Sequence, residues 1–99
     1  MRLIITTDSA VTHVSGRNAL TAFLEAKGWA VWHWFQDLWL IDGVPEQIDV
    51  VAIREEIRAA IPGGLPHFLI LSAEGLIIYS GMVPTTSLQW LTEHWNRRH

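Results

Sequence analysis

The stretch Ala30-Val31-Trp32-His33-Trp34-Phe35-Gln36-Asp37-Leu38-Trp39-Leu40-Ile41-Asp42 decides the fold. It carries three of the six tryptophans of a 99-residue chain. It reads as two β-strands turning on Gln36-Asp37. Strand side chains alternate, so Trp32 and Trp34 share one face with Ala30, while Val31, His33 and Phe35 share the other. Both faces are apolar or aromatic. One goes to a core, and the other needs a second partner.

Working outward, Gly28 precedes the hairpin as a helix C-terminal cap. It follows a helix that runs from an N-cap at Ser15 to about Lys27, with Leu20, Phe23 and Leu24 on one side. Before that helix lies a β-branched strand, Arg2-Leu-Ile-Ile-Thr-Thr-Asp8, and a polar loop. After the hairpin, Gly43-Val44-Pro45 breaks the chain. A second helix spans about Asp49 to Ile61, with Val50, Ile53, Ile57 and Ile61 at helical spacing. Its Arg54, Glu55 and Arg58 read as a solvated charged face. Pro62-Gly63-Gly64 stops it. A buried strand over His67 to Ala73, a turn at Glu74-Gly75, and a further strand over Leu76 to Ser80 come next. Thr86 and Gln89 fit a capping box. The last helix then spans about Ser87 to Asn96, with Leu88, Leu91 and Trp95 on one side.

The first six elements are β-α-β-β-α-β, the ferredoxin-like arrangement, with an added C-terminal strand and helix. With no linker or repeat visible, residues 1–99 read as a single α/β domain. Its two helices cover one sheet face. A second subunit, the C-terminal helix or a ligand must cover the other.

Composition bounds the function. The chain is 49% hydrophobic and 17% charged, which suits a real core with apolar surface left over for a homodimer interface. No apolar run reaches the roughly 18–20 residues of a membrane span, and the start shows no signal-peptide pattern. Cysteine is absent, which removes thiolate chemistry and fits a cytoplasmic location. The formal charge of −3 disfavours extended nucleic acid as a partner.

The strand ending in Asp8, the helix closing on Ala26-Lys27-Gly28-Trp29, the hairpin Val31-Trp32-His33-Trp34 with Leu38-Trp39-Leu40-Ile41, and the tail Ser80-Gly81-Met82-Val83-Pro84 with Leu88-Gln89-Trp90-Leu91 resemble the SinR-like small proteins. Those proteins are related to the CRISPR-associated ferredoxin-like endoribonucleases of spacer acquisition. The resemblance implies that Asp8 lies near the two-fold axis of a homodimer, where two copies can hold a divalent metal. Thr7 stands where the relatives often carry an aromatic residue.

Three functions follow as expectations. The first is a homodimeric binding or assembly module that uses the tryptophan-bearing sheet face, with Trp32, Trp34, His33 and Trp39 as ligand or interface residues and no cofactor. The second is a Mg²⁺-dependent endonuclease with paired Asp8 as metal ligand and His13 as acid or base, because an imidazole titrates near neutrality. The third is a small-nucleotide binder that stacks a base on Trp32 or Trp34. Against these stand plainer roles: Asp8 as a turn cap, His33 as a packing residue, and both tryptophans as buried core. His94 and His99 read as surface groups, and Arg97-Arg98 as a solvated tail.

Overall fold

The computed structural model describes residues 1–61, 63, 65–75, 77, 81 and 85–96. The chain runs β1 (Leu3–Thr7), α1 (Val14–Ala26), β2 (Ala30–Phe35), β3 (Leu38–Asp42), α2 (Val50–Ala60), β4 (Phe68–Ser72) and α3 (Thr85–Trp90), then a π-helical turn, Leu91–Trp95. The sheet order is β2-β3-β1-β4, and each neighbouring pair is antiparallel. The fold is thus a mixed α/β domain on a four-stranded antiparallel sheet. The expected strand over Leu76 to Ser80 lies, apart from Ile77, outside the described residues. So do His99 and the Arg97-Arg98 tail. Among the described residues, no helix is long and apolar enough to cross a membrane.

Period-two alternation sorts the sheet into two faces. Leu3 and Ile5 of β1, Trp39 and Ile41 of β3, and Ile70 of β4 pack with Leu20 and Leu24 of α1 and Ile53 and Ile57 of α2. This is the main core, and both crossover helices lie on it. The helices form as their spacing predicts, because i, i+3 and i+4 apolar positions share a side. Asp49 caps α2 by accepting from the Val51 amide at 3.0 Å. Helix α1 starts earlier than expected. Its N-cap is His13, not Ser15, because the turn closed by Asp8 and Thr12 ends there and the backbone enters the helix at Val14. Gly28 ends α1 with φ +81°, a left-handed conformation that favours glycine.

The opposite face is also covered in part. Trp32, Leu40, Leu91 and Trp95 form a second buried cluster, with Ile4, Leu38 and Trp90 around it. The C-terminal helix is therefore a third layer, laid on the β2-β3-β1 side. Its buried stripe is Ser87, Leu91 and Trp95, whereas Leu88 is exposed, contrary to expectation. The helix also begins at Thr85, so Thr86 lies inside it and is not its cap. Asn96 closes the π-turn by donating its amide to the Leu91 carbonyl at 2.7 Å. Its side chain then grips the Ile77 backbone twice, at 2.9 and 3.0 Å.

The hairpin departs from simple alternation. A register shift lies between Trp32 and Phe35. A bulge of this kind moves later residues to the other face. Phe35 accordingly meets Trp32 edge-on at 5.3 Å instead of sharing the side of Val31 and His33.

Candidate functional site

The β-bulge and the end of β1 bring several polar side chains to one end of the sheet. Asp37 sits in the β2–β3 turn, where its Oδ1 accepts from Thr7 Oγ1 at 2.7 Å and from Arg17 Nε at 3.0 Å. Arg17 is buried on the first turn of α1. This ion pair ties the hairpin tip to both β1 and α1. Partial burial pushes the Asp37 carboxyl up, but the Thr7 and Arg17 hydrogen bonds and the nearby positive charges outweigh it. The net result is a pKa below the ordinary 3.8. The folded value is lower than the unfolded one, so ionised Asp37 stabilises the fold at neutral pH, and that contribution is lost as pH falls through the folded value. Asp37→Asn should therefore cost about 2 kcal/mol at neutral pH, since it leaves buried Arg17 without its counter-charge. Urea midpoints measured from about pH 2 to 6 should show a shallower acid decline in the variant than in the parent. Parallel curves would contradict this account.

A second polar chain adjoins the first. The His33 ring stacks on Trp39 with centroids 4.1 Å apart and planes at 14°. Its Nε2 lies 2.9 Å from the Gln36 carbonyl, and its Nδ1 lies 3.3 Å from Thr21 Oγ1. Trp39 Nε1 donates to the same hydroxyl at 2.9 Å. These contacts make His33 and Trp39 parts of the packing between β2, β3 and α1.

Asp8 follows β1 directly. Its Oδ1 accepts from the Ala10 amide at 3.0 Å, and its carbonyl accepts from Thr12 Oγ1 at 2.7 Å. This is an Asx turn, so the capping role is filled. Asp8 also lines a cleft of about 580 Å³ together with Arg54, Arg58, His67 and Leu69. Arg54 and Arg58 lie one helical turn apart on α2, and His67 precedes β4. Both arginines contact Glu55 Oε1, Arg54 at 2.9 Å and Arg58 at 3.7 Å. All three side chains are half or more exposed, so these pairs are easily exchanged.

The cleft joins residues that the sequence kept apart. Arg54 and Arg58 read as a solvated face and His67 as the start of a strand, because nothing local signals that α2 lies alongside the β1–β4 end. His13, the expected acid or base, is exposed at the α1 N-cap and does not line the cleft. Among the described residues, no group of three or more His, Asp or Glu is placed to hold a metal ion. Asp8 alone offers a single carboxylate.

The tryptophans divide. Trp32 is 3% exposed, and its Nε1 donates to buried Ser87 Oγ at 2.6 Å. Its ring is closed to a stacking base. Trp34 is 51% exposed. His94, expected at the surface, is half-buried beside Trp90, with Nδ1 3.9 Å from Asp42 Oδ2. The chain matches no protein-family model, no curated protein and no solved structure.

Proposed function

We propose that this chain is a small homodimeric binding module of ferredoxin-like fold. The β-α-β-β-α-β order, the sheet order β2-β3-β1-β4 and the single-sided crossover helices support that fold. The observation that carries self-association is the uncovered part of the second sheet face. The C-terminal helix seals the Trp32 and Leu40 side, but Leu69 and Leu71 on β4 are 66% and 48% exposed. They lie opposite Thr6 and Ile4 of β1, and Ile4 packs against the Trp32 and Leu40 cluster. Two such surfaces, brought together by a two-fold axis, bury each other. The interface residues are therefore Leu69 and Leu71 more than Trp32. Sedimentation velocity should give a dimer for the parent and a monomer for the Leu69→Lys, Leu71→Lys double variant, with unchanged far-UV circular dichroism. A parent that stays monomeric at high micromolar concentration removes this reading.

One observation favours a second reading, a metal-dependent endonuclease of the kind the SinR-like resemblance implies. Asp8 shares its cleft with two arginines and a histidine, a set able to hold a phosphate and move a proton. Each chain supplies one carboxylate, so a Mg²⁺ ion would need Asp8 from both subunits. RNA and DNA cleavage with Mg²⁺ or Mn²⁺ should then fall by at least about a hundredfold in Asp8→Ala. Activity equal to the parent's excludes the mechanism.

A further inference from the structure

We propose that the outer edge of β4 and the groove beside α2 form a docking site for an extended peptide strand that carries acidic residues at alternate positions. This goes beyond self-association of the sheet face, because it uses the strand's edge and not its face.

The backbone assignment comes from the register. Asp8 donates its amide to the His67 carbonyl, and Ala73 donates its amide to the Arg2 carbonyl. Hydrogen-bonded pairs alternate along an antiparallel ladder. The same parity applied to the β1–β4 register turns the backbone groups of Leu69 and Leu71 toward β1. It turns those of Phe68, Ile70 and Ser72 away from β1, to the end of the sheet order among the described residues. The strand Phe-Leu-Ile-Leu-Ser carries no charge and no proline, the usual devices that block edge pairing.

The groove supplies side-chain recognition. A depression of about 300 Å³ lies between α2 and β4, lined by Val50, Val51, Arg54, Phe68, Leu69 and Ile70. It shares Arg54, Phe68 and Leu69 with the cleft that reaches Arg58 and His67, so the two run on from each other along the strand. A strand added to this edge points every second side chain to the helix side. Its same-face residues recur at roughly 6.6 Å. Arg54 and Arg58 recur along α2 at roughly 6 Å. Two carboxylates at i and i+2 of the incoming strand therefore reach both guanidinium groups, displacing the exposed Glu55 contact. The intervening side chains point away from α2 and need carry no charge. Asp8 also lines this cleft, so its negative charge opposes an acidic residue placed beside it.

The probe is a fluorescein-Gly-Thr-Val-Glu-Val-Glu-Val-Thr-amide peptide, labelled at its N-terminal amine and followed by fluorescence anisotropy with the full chain. Saturable binding is expected. It should weaken roughly tenfold or more with Gln in place of both Glu, and equally in the Arg54→Gln, Arg58→Gln variant. N-methylation of alternate peptide amides should abolish it, because strand pairing requires those donors. Absence of saturation up to about 1 mM peptide overturns the proposal. So does binding that ignores the Glu-to-Gln change or the N-methylation. Loss of peptide binding as the chain self-associates, measured over a concentration series, also overturns it, since a second copy then occupies this edge. The peptide substitutions need no altered protein, and the two arginines are exposed enough that their variant folds.

Discussion

Replacing Trp39 by alanine is expected to remove about 3–5 kcal/mol of folding free energy, roughly a fifth or more of what a domain this size holds. Trp39 is fully buried in the main core, on β3, where it meets α1 through Thr21 and β2 through His33. Its removal opens a large cavity and strips the stacking surface from His33. It also takes one donor from Thr21 Oγ1, which links α1 to the hairpin. The urea midpoint should fall accordingly, and the melting temperature by more than about 12 °C. Trp39→Phe keeps most of the volume and should lose less than half as much. A Trp39→Ala protein within about 1 kcal/mol of the parent would show that the core is organised differently.

Trp95→Ala is expected to cost a similar amount, about 3–5 kcal/mol, but with a different signature. Trp95 is 1% exposed and anchors the third layer. Its Nε1 donates to the Gly75 carbonyl at 3.1 Å. Its ring lies 5.2 Å from the buried Arg2 guanidinium, a cation–π contact. Arg2 also donates to the Trp95 carbonyl and pairs with Glu74 at 2.6 Å. Truncation leaves Arg2 without its ring and the Trp32–Leu40 surface without its cover. The C-terminal helix packs on one sheet face only, so it should loosen before the sheet does. Hydrogen exchange should show protection lost over residues 85–96 while β1 and β3 amides stay slow. Uniform loss across both regions would mean that the third layer folds only together with the main core.

The two variants also bear on the proposed functions. A loosened C-terminal helix exposes Trp32 and Leu40 beside Leu69 and Leu71, enlarging the apolar face. Self-association through that face should then become stronger, not weaker, in Trp95→Ala. The docking edge of β4 lies on another side of the strand, so peptide binding there is expected to survive.

The local elements, and the coarse class of a mixed α/β domain, were legible in the residues alone. The hairpin from Ala30 to Asp42, α1 with Leu20 and Leu24 inward, and α2 with Ile53 and Ile57 inward follow from periodicity and from glycine or aspartate at their ends. The strand expected over His67 to Ala73 forms as β4, but it is not buried as expected: Leu69 and Leu71 are exposed, because the C-terminal helix covers the β2-β3-β1 side only. Those signals act within a few residues, which is why they are legible without a structure. The element order also predicted a sheet with one helical face.

Which surfaces remain open depends on contacts between residues far apart in the chain. Trp32 and Ser87 are 55 residues apart in sequence, and their hydrogen bond is what closes the Trp32 face. The bulge that turns Phe35 toward Trp32 has no composition signature in Trp-His-Trp-Phe, so strict alternation misplaced it. The Arg17–Asp37 pair and the meeting of Asp8, Arg54, Arg58 and His67 depend on how α1 and α2 lie against strand ends distant in the chain. Charged residues on a helix look alike in sequence whether they face water or a cleft. Only the packing of the helices on the sheet assigns these two arginines to a groove.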